Sequence, residues 1–231
     1  MGNICIIPAR GGSKRIPRKN IKSFLGKPII AYSIEAAISS KLFDEVMVST
    51  DDDEISKVAQ NYGAKVPFKR SEKNSDDFSN TVDVLLEVIE DYNKLGKNFE
   101  NVCCIYPTAP FISIVKLLEG YRLLKNDQRG VVMPIIAFSY PIWRGFEKLH
   151  NEKIEMIMPE YLNSRSQDLK EVYHDAGQWY WINTKELKEE KKLYTNNTSG
   201  VVLDEMEIQD IDNISDWKIA EFKYEYLQSL K

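Results

Sequence analysis

"NICIIPARGGSKRIPRKN" (Asn3–Asn20) is the stretch whose reading decides the fold. An apolar run of strand length ends at Pro8. Two glycines and five cationic side chains then follow between Arg10 and Lys19. A buried strand that opens at its carboxyl end into a polar loop is the unit of an open α/β sheet, where ligands bind outside the strand ends. Like charges crowded into such a loop repel one another unless an anion lies between them.

Working outward, the same rhythm repeats. "EVMVST" (Glu45–Thr50), "NVCCIYP" (Asn101–Pro107) and "GVVMPIIAF" (Gly130–Phe138) read as further buried strands. Helical patterns separate them at 28–40, 52–63, 81–96 and 113–126, with Pro28 at a first turn and Gly63 and Gly96 where helices stop. The expectation is a three-layer α/β/α, Rossmann-like fold with a mostly parallel sheet, in one domain spanning 1–231. After Phe138 the rhythm breaks, and residues 139–172 read as an inserted lobe or dimerisation arm. "YHDAGQWYWI" (Tyr173–Ile182) returns to a strand, and a helix over about 215–230 follows. Trp179 and Trp181 share one parity on that strand and read as core or dimer packing.

The totals exclude several classes. The chain has 231 residues, 43% of them hydrophobic, and a net charge of −4, which argues against general nucleic-acid binding. No apolar run approaches the roughly 20 residues of a membrane span. Cys5, Cys103 and Cys104 sit inside apolar runs without zinc spacing, and the adjacent pair points to opposite faces of a strand. They read as core residues of a protein of the reducing cytoplasm.

Charge is local instead. Arg10 to Lys27 carries seven Lys/Arg and no acid, whereas Asp204 to Asp216 carries six acids and no base. Gly11 and Gly12 permit close approach of the backbone to phosphate oxygens; Arg10, Lys14 and Lys19 add charge, and Ser13 adds a hydroxyl. The spacing matches neither the P-loop nor the dinucleotide fingerprint, and Pro17 rules out an immediate long helix. In "QDIDNISDW", Asp210 and Asp212 are two apart, so both carboxylates fall on one side of an extended segment. Paired carboxylates repel, and a divalent cation with oxygen ligands, magnesium above all, relieves this. Asp216 belongs to the start of the last helix. Asp51, Asp52 and Asp53 read as helix N-terminal acids, with Asp51 and Glu54 near capping-box spacing. A cationic loop facing a carboxylate-held metal is the arrangement that phosphoryl or nucleotidyl transfer needs.

These residues resemble a known family. "IIPARGGSKRIPRKNIKSFLGKPIIAYSI" is similar to the N-terminal signature of the CMP-sugar synthetases, which activate nonulosonic and related keto sugar acids, and "QDIDNISDW" resembles their metal motif. The resemblance extends through "VSTDDDEI", "YPTAPF", "NSRSQDL" and "YHDAGQWYW". Sialic and legionaminic acid enzymes show Q-P-T-S-P-L-R where this chain has "YPTAPF", and an Asn-Gly pair where it has "HDAGQ". Both departures resemble the pseudaminic acid cytidylyltransferase branch, which serves bacterial surface glycans and flagellin modification.

The resemblance implies CTP and a nonulosonic sugar acid as substrates, Mg²⁺ as cofactor and a homodimer. It places Ala9, Arg10, Gly11, Gly12, Ser13, Lys14 and Lys19 on the triphosphate, with Asn20 and Arg70 near the ribose or cytosine. Asp210 and Asp212 would hold the metal, and Arg10 and Lys14 would stabilise the transition state. Tyr106, Thr108, Arg165, Gln167, Tyr173, His174 and Gln178 would face the sugar acid. Deprotonation of the attacking hydroxyl is left open between His174 and water. Two alternatives also stay open: N-acetylneuraminic or legionaminic acid as the substrate, and a nucleotide-binding protein without catalysis.

Overall fold

The computed structural model describes residues 2–76, 79–150 and 152–230. In chain order its strands are β1 (Gly2–Pro8), the short β2 (Ser23–Phe24) and β3 (Lys27–Pro28), β4 (Glu45–Ser49), β5 (Phe99–Ile105) and β6 (Val131–Ala137). Then come β7 (Phe146–Lys148), β8 (Ile154–Met156), β9 (Tyr173–Asp175), β10 (Trp179–Asn183) and β11 (Thr198–Val202). The helices are α1 (Ile29–Ser40), α2 (Asp53–Asn61), α3 (Thr81–Lys94), α4 (Ile114–Asn126), α5 (Thr184–Glu190) and α6 (Ile214–Ser229).

The main sheet runs β11-β6-β10-β5-β1-β4, with β9 also on β6. Pairings of β1 with β4 and β5, and of β11 with β6, are parallel; β10 lies antiparallel between β5 and β6. Alternation along β1 divides the core. Cys5 and Ile7 pack with α1, α2 and α4 on one face, whereas Ile4 and Ile6 pack with α3 and α5 on the other. Cys103 and Cys104 likewise fall on opposite faces, fully buried, and burial pushes both thiols up. Trp179 and Trp181 are fully buried core residues.

Three details depart from expectation. The stretch 173–182 is two strands, because Gly177 takes φ +61° and reverses the chain after Asp175. The α2 cap is Asp52, whose carboxylate accepts from Glu54 N and Ile55 N at 2.9 Å each, not Asp51. Gly11 and Gly12 are absent from the left-handed region; Arg18 (φ 55°) and Leu25 (φ 46°) make the loop's tight turns.

A third apolar cluster positions the site. Ile16 from the basic loop, Phe24, Ile29 and Tyr32 pack against Ile211 and Trp217. The loop after β1 and the segment before α6 are therefore two sides of one small core. Residues 138–175 form a separate excursion carrying the β7–β8 hairpin, and none of its described residues is buried. Among the described residues, no helix is long and apolar enough to cross a membrane.

Candidate active site

Beyond the carboxyl end of β1, the chain is held from both sides. On the β4 side, Asp51 Oδ1 accepts the Gly11 N–H at 2.9 Å. Arg18 donates to both oxygens of Asp52, at 2.5 and 3.0 Å, and to Glu54 at 2.5 Å. That guanidinium holds the Asp52 carboxyl down at about 2. A Cβ on Gly11 would lie 2.8 Å from Asp52 Oδ2, so glycine here allows a close approach of carboxylate to backbone; a Cβ on Gly12 would meet nothing. From within, the buried Asn20 donates its amide to Arg10 O at 2.9 Å.

On the other side the loop meets the acidic segment. Lys19 Nζ donates to Ile211 O at 2.7 Å, and Arg15 pairs with Asp212 at 2.8 Å. Burial lowers the Lys19 ammonium, opposed by Asp212 and Asp210. Ile211 is buried between its neighbours, which sends Asp210 and Asp212 to the solvent side together, as alternation requires. Burial raises the Asp210 carboxyl, and the charge on Asp212 adds to the rise. Asp216 belongs to the helix, as expected: it accepts from Asp212 N and Asn213 N at 2.9 Å each.

Between these two sides lies a cavity of about 490 Å³, lined by Pro8, Arg10, Ser13, Lys14, Arg15, Ile16, Lys19, Asn20, Tyr106, Pro107, Thr108 and Asp212. Tyr106 is also part of a second cavity of about 520 Å³, whose walls include Ile136, His174, Asp175, Tyr180, Asp210 and Lys223. His174 Nδ1–H donates to Asp175 O at 2.9 Å, which leaves Nε2 as the acceptor of the neutral ring. The Lys223 ammonium donates to Glu205 O and Ile208 O at 2.9 Å each, tying α6 to the acidic segment.

Several expected residues sit elsewhere. Arg70 is buried behind the loop, where its Nε donates to Ser49 Oγ at 3.1 Å and burial lowers it to about 10; it lines neither cavity. Gln178 is buried as well, and its amide donates to Glu207 O at 2.6 Å, so it fixes the acidic segment from below. Arg165 pairs with Asp168 at 2.7 Å in the exposed excursion. Gln167 lines a third cavity there, and the Tyr173 hydroxyl donates to Glu171. Ala9 is buried, its N–H on Ser49 O at 2.9 Å. Sequence reasoning missed the Asp51 and Asp52 clamp, although both directly follow β4 at the crevice. It also assigned no role to Asp175 and Tyr180, although both lie within "YHDAGQWYW", and missed Lys223, which lies in no motif.

A cytidylyltransferase family model matches residues 4–210. The chain is 44% identical over 224 residues to a pseudaminic acid cytidylyltransferase of Campylobacter jejuni, covering 97% of each. It is 32% identical to a CMP-N,N'-diacetyllegionaminic acid synthase of Legionella pneumophila, covering 94% of each. Its backbone is similar to that of a CMP:2-keto-3-deoxy-manno-octonic acid synthetase complexed with CTP, with a TM-score of 0.71 at 18% identity, over 99% of this chain and 100% of that one.

Proposed function

The chain belongs to the cytidylyltransferase family, and from that premise we propose that it couples CTP to pseudaminic acid, releasing pyrophosphate. The observation that carries the reading is the meeting of the basic loop and the acidic segment at one cavity, in the Lys19–Ile211 hydrogen bond and the Arg15–Asp212 ion pair. The similarity to a pseudaminic acid cytidylyltransferase over 97% of both chains supports the choice of acid.

In this reading the triphosphate lies in the first cavity against Arg10, Ser13, Lys14 and Lys19. The sugar acid lies in the second, beyond Tyr106. The anomeric oxygen attacks the α-phosphorus as its bond to pyrophosphate breaks, and the hydroxyl proton passes to His174 Nε2 or water. Arg10 and Lys14 offset the charge that develops. Asp210 and Asp212 suit a hard divalent cation: both donors are oxygen, and burial together with the charge on Asp212 already raises Asp210. Among the described residues no cluster of three His, Cys, Asp or Glu could hold a metal, so such an ion takes further ligands from phosphate and water. When bound, magnesium neutralises charge on the α-phosphate and the departing pyrophosphate. The three buried cysteines and the use of CTP fit a cytoplasmic enzyme.

Incubation with CTP, Mg²⁺ and each sugar acid, read as pyrophosphate release, tests this. Turnover with pseudaminic acid is expected. Turnover confined to N-acetylneuraminic acid would overturn the choice of acid, and CTP binding without turnover on any acid would favour a binding protein.

A further inference from the structure

The second cavity is bordered by a carboxylate and a hydroxyl that the reaction above does not use, those of Asp175 and Tyr180, and Tyr194 reaches the same carboxylate from outside the lining. Asp175 ends β9, and its Oδ2 accepts the hydroxyls of Tyr180 at 2.6 Å and Tyr194 at 2.5 Å. Its Oδ1 accepts the Gly177 N–H at 2.8 Å, a contact made possible by the left-handed turn at Gly177. Tyr180 is 1% exposed and sits on β10, beside Tyr106, with ring centroids 5.4 Å apart. Tyr106 borders both cavities. These groups therefore lead from the sugar side of the site to the nucleotide side.

An ionised carboxylate only accepts hydrogen bonds, so it dictates the direction of both phenolic protons. With its proton spent on Asp175, the Tyr180 oxygen at the cavity wall has only lone pairs to present, and this edge accepts without donating. Burial pushes the Tyr180 hydroxyl far above its usual range, which keeps the proton in place. Beside this polar edge, Ile136, Ala176 and Ile208 belong to a small buried apolar cluster that borders the same cavity. An acceptor next to an apolar patch matches a group with an N–H and a methyl close together, which is an acylamino substituent. A bare hydroxyl satisfies the acceptor and leaves the apolar patch wet.

We propose that Asp175, acting through Tyr180 and Tyr194, is the positioning residue that makes this enzyme select acylamino-bearing keto sugar acids over hydroxylated ones. The assignment rests on the reading of the second cavity as the sugar-acid chamber. Asp175→Asn keeps size and shape, but both phenols bond to one oxygen: an amide nitrogen in its place donates to them and turns their protons away, so the acceptor edge is lost.

The test measures steady-state kinetics of wild type and Asp175→Asn with pseudaminic acid and with 2-keto-3-deoxy-manno-octonic acid, alongside CTP affinity. Wild type is expected to prefer the acylamino acid. The variant should raise the KM for pseudaminic acid on the order of 30-fold and narrow the preference between the acids, with CTP affinity unchanged. Tyr194→Phe, at a residue 51% exposed, removes one member without disturbing the core and should raise the same KM several-fold. An unchanged preference in both variants, or an equal loss on both acids, would overturn the assignment while the function stands. A wild type inactive on every acylamino acid would overturn the functional reading, and this assignment with it.

Discussion

Asp212 has two claims on it. Arg15 pairs with it at 2.8 Å, yet the Arg15 side chain is 70% exposed and that of Asp212 is 43% exposed, so the ion pair is worth well under about 1 kcal/mol and yields readily. An Arg15 side chain that neutralises the carboxylate in the free enzyme competes with any divalent cation. Arg15→Ala is therefore expected to lower the Mg²⁺ concentration for half-maximal activity by about two- to five-fold, a change of less than 1 kcal/mol. Unchanged or weaker Mg²⁺ dependence in the titration would show that Arg15 does not compete. At this scale the sequence was informative where charge was concentrated: the basic loop and the acid pair were legible because nothing structural demands like charges side by side. Asp175 was not, because its significance lies in two tyrosine hydroxyls that reach it from β10 and from Tyr194, which spacing does not reveal. Arg70 and Gln178 line neither cavity, for a related reason. Their polar ends meet backbone carbonyls inside the fold, and a sequence motif does not distinguish a group that grips a ligand from one that grips the chain.

Elements were legible in proportion to their periodicity. The helices α1, α2, α3, α4 and α6 and the strands β1, β4, β5 and β6 lie within a few residues of their expected bounds, because buried runs and caps mark them; the short α5 was not foreseen. The antiparallel β10 was not foreseen as a central strand, since a short run between β9 and α5 carries no mark of its direction. Its two tryptophans explain a glycine in mid-helix. A Cβ on Gly120 in α4 would lie 2.5 Å from Trp179 Cη2 and 3.2 Å from Trp181 Cδ1. Alanine improves helix propensity by about 1 kcal/mol, but displacing two packed indoles costs about 1–3 kcal/mol. Gly120→Ala is thus expected to lower stability in denaturant titration, and a rise would mean that the indoles move freely. The α2 cap gives a pH test. The Asp52 carboxyl is lowered from 3.8 to about 2, by Arg18 first. A depressed carboxyl stabilises the fold above its unfolded value and loses that contribution as pH falls toward 2. Asp52→Asn keeps a capping oxygen and loses the charge. It should cost about 1 kcal/mol at neutral pH, discounted because Arg18 is partly exposed. The gap from wild type should close as the pH of the melt falls below 4.

At the scale of the whole molecule, the excursion over 138–175 exposes Phe146, Ile154, Ile157 and Leu162, each more than half accessible. A β7–β8 hairpin of three residues a strand has too little core to support itself. We propose that a second copy of the chain covers it. Sedimentation should then find a dimer, and Phe146→Asp with Ile154→Asp should shift it toward monomer; a wild type monomeric at micromolar concentration would refute this. Irregular composition marked the excursion in the sequence, while its surroundings cannot be read from one chain.

The Lys19–Ile211 hydrogen bond joins positions 192 residues apart. During synthesis on the ribosome, the early loop leaves the exit tunnel long before its counterpart has been translated. The nascent polypeptide therefore carries the basic loop with the site half built, and completes it only once the segment around Ile211 has emerged. Products of premature termination before Gln209 are expected to be silent.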